Sequence, residues 1–189
     1  MPPDARLDTP RLVLRRLRAS DEPDLVALDS DPEVMRYVGS PAGVKSPAET
    51  VERARGRIAE AARGVLEPLG LWRIERRDQG AFCGIGALLR MPSGADVEVA
   101  YRLARAAWGA GIATEAAGAL VAHGLRTLAL PRLVAVTYPE NRASQRVLDK
   151  LGFERRGFTE YKGVRTTFHV LAREAWTPPD IDNIRAAPP

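Results

Sequence analysis

The chain has 189 residues, of which 45% are hydrophobic and 28% charged, the composition of a globular domain with a sizeable core. No apolar run approaches membrane-spanning length, and the opening "MPPDARLDTPRL" carries no signal-peptide core. Cys83 is the only cysteine, so no internal disulfide forms and a reducing, cytoplasmic setting is the simplest expectation; with two well-separated histidines, His123 and His169, a metal site is not expected either. The formal net charge of +4 suits small anionic ligands and is too mild to indicate nucleic acid.

"TPRLVLRRL" (Thr9–Leu17) alternates as a first strand, and Ser20, Asp21 and Glu22 open a helix toward Leu28. "DPEVMRYV" reads as a short helical turn. At Ser46 the start signals accumulate: Ser46 as N-cap, Pro47 at the first helical position and Glu49 closing a capping box. Val51, Ala54, Ile58 and Ala61 then form an apolar stripe that Gly64 ends. "LWRIER", "CGIGALLR" and "VEVAYRL" read as three strands. "WGAGIATEAAGALVAHG" follows, a glycine-rich loop turning into a helix with Ala117, Leu120, Val121, Leu125 and Leu128 on one face. His123 falls on a side of the helix away from that face, as a solvated or partly packed histidine. "LVAVTY" (Leu133–Tyr138) has the near-continuous apolar character of a strand buried on both sides. A last helix starts near Asn141, turns Val147, Leu148 and Leu151 inward and stops at Gly152; "FTEY" and "VRTTFHVLARE" then close the sheet as two strands. Residues 1–176 form one domain in this reading, and the proline-rich 177–189 a flexible tail. This order of elements predicts an α+β protein, a mixed sheet covered by helices.

The glycine loop is the first candidate site. It fails as a kinase-type phosphate loop, because no lysine and Ser/Thr follow the glycines in the required spacing. It fails as a dinucleotide fingerprint, because Thr114 stands where the third glycine belongs and Pro131 where an acid is needed. A tight strand-to-helix connection explains the glycines as well as a ligand does. Chemically, successive N–H groups from Gly109 to Thr114 and the positive end of a helix can cradle a pyrophosphate without a basic side chain.

Thirty residues on, "NRASQRVLDKLGF" (Asn141–Phe153) makes the chain resemble the GNAT N-acetyltransferases, in the RimJ/RimL-like branch of ribosomal-protein-alanine acetyltransferases. The resemblance extends over most of the chain. It rests on "TPRLVLRRLRASDEPDLVAL", "DPEVMRYVG", "VEVAYRLARAAWGAGIATEA" and "YPENRASQRVLDKLGFERRG", in that order. It implies a mostly antiparallel mixed sheet of about seven strands whose fourth and fifth strands splay apart. Pantetheine would lie in that V along the free edge of Val97–Leu103, at Val99, Tyr101 and Leu103. The pyrophosphate of acetyl-CoA would rest on the loop of Trp108, Gly109, Ala110, Gly111, Ile112, Ala113 and Thr114, with Asn141 also touching the coenzyme. Trp108 stands where the wider superfamily often has Gln or Arg, and Ala110 where a basic residue is common. The missing charge falls to Arg105, Arg142 or Arg146, with Arg146 taken as the coenzyme contact.

Acetyl transfer to an amine needs a proton acceptor, a donor for the tetrahedral oxyanion and a proton for the leaving thiolate. The resemblance assigns the last role to Ser144, a residue that could equally serve local backbone bonding in a first helical turn. Asn141 is also an excellent N-cap. Glu98 is the first choice of base: in "VEVAY" it takes the strand face opposite Val97, Val99 and Tyr101. An edge glutamate facing water is the competing reading. Glu160, Tyr138 and His169 rank lower, and Cys83, with no local activating partner, reads as a small buried hydrophobe. The expected activity is transfer from acetyl-CoA to a primary amine by direct attack in a ternary complex. The alternative is a non-catalytic acyl-CoA-binding domain on the same fold. The amine acceptor is left open among N-terminal peptides, amino acids, polyamines and aminoglycosides, as is homodimer formation; neither membrane nor nucleic acid is expected as a partner.

Overall fold

The computed structural model describes residues 6–39, 46–64, 66–92 and 94–177; all of the tail expected at 177–189 except Thr177 lies outside them. Among the described residues, eight strands form one sheet in the order β1-β2-β3-β4-β5-β6-β8-β7: β1 (Arg6–Asp8), β2 (Leu12–Arg16), β3 (Gly70–Arg76), β4 (Phe82–Arg90), β5 (Val97–Leu103), β6 (Arg132–Thr137), β7 (Glu154–Tyr161) and β8 (Val164–Ala172). Seven of them are the strands expected from alternation or, for β6, from an unbroken apolar run. The first, β1, is only three residues long and too short to carry a period; its Arg6 is held to Asp8 at 2.8 Å. Every neighbouring pair is antiparallel except β5 with β6.

That exception sets the architecture. A parallel pair requires a crossover connection, and here it is α4 (Ile112–Ala122), extended by one π-helical turn over His123–Thr127. The sequence stripe captures only part of its burial. Ala116, Ala117, Leu120 and Val121 are at 8% exposure or less, and so are Thr114, Glu115 and Ala119 on other sides of the helix. Gly86 on β4 permits this close seat, because a Cβ there would lie 2.7 Å from Leu120 Cδ1. His123 is buried rather than solvated. Its ring meets Trp72 edge-on at 5.7 Å, and burial together with the nearby Arg16 guanidinium pushes its pKa down.

The other helices are α1 (Glu22–Ser30), α2 (Pro32–Met35), α3 (Pro47–Ala62) and α5 (Arg142–Lys150). The α3 capping box is present: Glu49 N–H donates to Ser46 Oγ, and Ser46 N–H to Glu49 Oε2 at 2.8 Å. Asn141 caps α5, its Oδ1 accepting from Ser144 N–H at 3.1 Å. Two apolar layers result. One joins α4 and α5 to Trp72, Leu88, Val99 and Leu133; the other joins α1, α2 and α3 to Leu71, Ile85 and Ala87 on the opposite sheet face.

A charged cluster pins the second layer. Asp29 on α1 is fully buried, with Arg57 Nη1 at 2.7 Å, Arg53 Nε at 3.1 Å and Arg102 Nη2 at 2.7 Å. Burial and the neighbouring arginines, offset by Asp29, bring the Arg102 pKa down to about 10. Three guanidinium groups share one carboxylate, so its loss leaves several uncompensated charges between α1, α3 and β5. We expect Asp29→Ala to lower unfolding free energy by about 3 kcal/mol or more in urea denaturation. A change under about 1 kcal/mol would show that the cluster contributes little.

Candidate active site at the split between two strands

β5 and β6 share a single rung, Glu98↔Val134. Beyond it the two strands part, and the sheet opens into a V toward the C-terminal end of β5. The β4 ladder determines which backbone groups face that opening. Met91 N–H bonds Asp96 C=O at 2.9 Å and Ala104 N–H bonds Cys83 C=O at 2.9 Å, so alternate residues Glu98, Ala100 and Arg102 turn their backbone toward β4. Val99, Tyr101 and Leu103 therefore turn theirs toward β6, with Tyr101 and Leu103 past the last rung. The Leu103 carbonyl accepts from Trp108 Nε1 at 2.9 Å, which folds the half-exposed indole back over the strand end.

The glycine loop sits at the mouth of the V. Gly109 and Gly111 have φ of 75° and 74°, the left-handed region where a side chain strains the backbone. A Cβ at Gly109 would meet nothing within 4 Å, so the loop passes there along open space. Gly111 caps α4 and Thr114 is buried in its first turn. The loop, the free edge of β5 and the N-terminus of α4 thus meet at one place, and the residues present fit a pyrophosphate joined to an extended, hydrogen-bonding arm.

The two faces of the V differ. On the α4/α5 face, the Tyr101 hydroxyl lies 3.1 Å from Ser144 Oγ, linking β5 to α5. Burial, partly offset by this bond, pushes the Tyr101 pKa up to about 12, so the phenol keeps its proton. Ser144 Oγ thus meets a side chain across the V, and the helix cap is made by Asn141 instead.

On the α1/α3 face lies Glu98, 6% exposed and therefore no edge glutamate facing water. Its Oε2 accepts from the Tyr161 hydroxyl at 2.9 Å. Burial raises its pKa, against the hydrogen bond from Tyr161 and the charge of Lys162, which both favour the carboxylate. Tyr161 also lines a cavity of about 300 Å³ with Leu66, Leu69, Leu89 and Pro92 and the charged Glu67, Arg90 and Lys162.

The remaining sequence candidates are placed elsewhere. Glu160 is exposed on β7, beside the register partner Arg165. His169 is buried in β8 with Nε2 3.0 Å from Thr167 Oγ1, its pKa lowered by burial. The Tyr138 hydroxyl donates to the Gly39 carbonyl, and its ring meets Tyr37 at 5.7 Å. Cys83 is buried with its pKa raised by burial, as a small hydrophobe would be. Arg105 is taken by Asp31, 2.7 Å away, whereas Arg142 and Arg146 are exposed on α5 with no partner among the described residues. Two features have no local sequence signal. Tyr161 is 63 residues from Glu98, and Glu115, one turn into α4, is held by Thr9 and Arg11 from more than 100 residues away.

Residues 11–154 match the model of the acetyltransferase (GNAT) domain. The chain belongs to the GNAT acetyltransferase family. It is an acetyl-transferring enzyme of a family that uses acetyl-CoA. It is 34% identical over 153 residues to the uncharacterized N-acetyltransferase YoaA of Bacillus subtilis, covering 80% of this chain and 84% of the relative. Among solved structures, an acetyltransferase from Agrobacterium tumefaciens superposes with a TM-score of 0.74 at 25% identity, over 88% of this chain and 94% of the other. RimJ of Mycobacterium smegmatis in complex with CoA-disulfide has the same fold, with a TM-score of 0.71 at 22% identity over 90% and 87%. The split sheet is thus the GNAT sheet. The strands expected as the splayed fourth and fifth are the fifth and sixth here because β1 precedes them. Among the described residues, no helix is long and apolar enough to cross a membrane.

The Glu98–Tyr161 pair yields a sign. The phenol stabilises the ionised carboxylate, so Tyr161→Phe should move the Glu98 pKa further up. Carboxyl-selective NMR titration of the two proteins measures it directly. A downward shift in the variant would show that Tyr161 acts on Glu98 mainly through burial.

Proposed function

We propose that this GNAT enzyme moves the acetyl group of acetyl-CoA to a primary amine by direct attack in a ternary complex, with Glu98 as general base and Ser144, paired with Tyr101, as general acid. One observation carries the reading. The residue set opposite Val134 at the one rung between β5 and β6, Glu98, is also the residue whose buried carboxylate is bonded, among the described residues, to a neutral phenol.

Acetyl-CoA supplies a thioester, an acyl group already activated for transfer. The edge of β5 at Val99, Tyr101 and Leu103 and the loop Trp108–Thr114 hold it, with Asn141 and Arg146 beside them on α5. Binding along that edge completes the backbone pairing that the split leaves open. The reacting carbon then lies near the vertex, in reach of both faces. From the α1/α3 face, Glu98 takes the proton of the attacking amine; its raised pKa makes it a better acceptor than an ordinary carboxylate. From the α4/α5 face, the Ser144–Tyr101 hydroxyl pair returns a proton to the departing thiolate. The amine enters and the thiolate leaves on opposite faces of one sheet, so base and acid do not exchange protons directly.

The acceptor reading favours an α-amine. The cavity that Tyr161 lines offers four apolar side chains, with two cations, Arg90 and Lys162, and one acid, Glu67, in the same lining. That lining suits one amine attached to an apolar group and disfavours polycations such as polyamines. An α-amine with a pKa of about 7.7–8.0 also presents far more neutral amine at pH 7 than a lysine near 10.4.

Two experiments test the proposal. Glu98→Gln should lower kcat by roughly a hundredfold while the Kd for CoA stays within about threefold. Near-normal turnover would remove Glu98 from the reaction and shift the role to Glu160 or a bound water. In a short peptide carrying both amines, N-terminal acetylation should exceed lysine acetylation at pH 7, the preference narrowing toward pH 9 as neutral lysine accumulates. Mass spectrometry of the product resolves the two sites, and predominant lysine acetylation at neutral pH overturns the α-amine reading.

A further inference from the structure

The glycine loop does not hold its own shape. Arg11, the residue before β2, donates from Nη1 to the carbonyl of Ala110 in the middle of the loop at 2.9 Å. The same guanidinium donates from Nε to Glu115 Oε2 at 2.6 Å, and the Arg11 backbone N–H donates to Glu115 Oε1 at 2.8 Å. Thr9 Oγ1 adds a third donor on Oε1, at 2.6 Å. Glu115 is 2% exposed and stands in the fourth position of α4, with its own N–H bonded to the Gly111 carbonyl at 3.1 Å. One arginine therefore joins three things: the first strand of the family domain, the buried acid behind the loop, and the loop backbone.

Two physical consequences follow. The peptide bond between Ala110 and Gly111 is trans, so its C=O and N–H point in opposite directions. Fixing the Ala110 carbonyl on Arg11 turns the Gly111 N–H away from the protein side, as a donor into the space the loop borders. Glu115, for its part, is a negative charge in the turn where an anion would bind. Unpaired, it would oppose that anion and cancel the positive helix end; paired with Arg11 it does neither.

We infer that Arg11 is a positioning residue for recognition of the coenzyme pyrophosphate, acting through the Ala110–Gly111 peptide and through Glu115 without touching the ligand. The inference rests on the assignment of the loop to acetyl-CoA. Lysine cannot replace Arg11 fully, since one ammonium on a flexible stem can neutralise Glu115 but cannot span Glu115 and the Ala110 carbonyl in a fixed fork.

The test compares acetyl-CoA with S-acetylpantetheine, the same thioester without the nucleotide and pyrophosphate, in wild type, Arg11→Met and Arg11→Lys. Calorimetry with CoA should show Kd raised about tenfold or more in Arg11→Met and about threefold or more in Arg11→Lys. The kcat/KM for acetyl-CoA should fall in step with Kd, through KM rather than kcat, while kcat/KM for S-acetylpantetheine falls less than about threefold. An equal loss with both donors would mark general damage to the fold and overturn the inference, as would an unchanged CoA Kd in Arg11→Met. Should Arg11→Met not fold, Arg11→Lys decides alone: a Kd within about twofold of wild type overturns the proposal. A wild-type enzyme that uses both donors equally well would instead refute the loop assignment itself, and the role of Arg11 with it.

Discussion

A sheet that runs antiparallel throughout is interrupted once, between β5 and β6, and there the strands stay together for a single rung. Backbone groups on an unpaired interior edge would normally count against the fold, because buried N–H and C=O groups need partners. This chain limits the exposure at the far end, where Trp108 bends back to satisfy the Leu103 carbonyl, and Tyr101 ties β5 to Ser144 on α5 through its side chain. What stays open is the length of edge between the last rung and that carbonyl. The connection that a parallel pair demands is α4, and its first turn is where the glycine loop must lie. Strand split, helix N-terminus and loop are therefore consequences of one topological choice, and they converge on one cleft.

Three buried acids show how the protein assigns different work to the same functional group. Asp29 is outnumbered by arginines and fastens α1 to α3 and β5. Glu115 accepts from one backbone donor, one hydroxyl and one guanidinium, which hold it still behind the loop. Glu98 receives one neutral hydroxyl, with a lysine nearby, and burial pushes its pKa up. A fully compensated carboxylate is a poor proton acceptor and an uncompensated one would not stay buried. Glu98 lies between these limits, at the vertex where the reacting atoms meet.

The parts of this arrangement that a sequence reader can see are those with a local physical cause. Ser46 and Glu49 announce α3 because a capping box closes within one turn, and Asn141 announces α5 because its side chain caps the first turn. The strands on either side of the split are legible from alternation or from an unbroken apolar run, and Glu98 stands out as a charge in one of them. The glycines betray the loop because their left-handed backbone has few other occupants. Legibility stops where the cause is distant in sequence. Nothing near Thr9 or Arg11 foretells Glu115, and nothing in "VEVAY" foretells Tyr161. The burial of His123 escapes the sequence for a related reason: a helical stripe identifies one buried face, whereas a crossover helix sunk against a glycine-bearing strand is buried on several.

The split also explains why general base and general acid can be so far apart in kind and yet serve one bond. Within an intact sheet, residues on opposite faces are separated by the sheet itself and cannot address the same atom. Consecutive positions on β5 alternate faces, so Glu98 belongs to the α1/α3 side and Tyr101 to the α4/α5 side. Three residues of strand separate them by about 10 Å at a rise near 3.3 Å per residue. Only where a neighbouring strand has been withdrawn can a ligand occupy the plane between those faces and be approached from both. Proton removal on one side and proton delivery on the other then need no rearrangement of the protein, since each group already faces its own opening. Preorganisation of that kind lets a modest carboxylate and a pair of hydroxyls suffice, with much of the rate coming from holding thioester and amine on either side of one carbon.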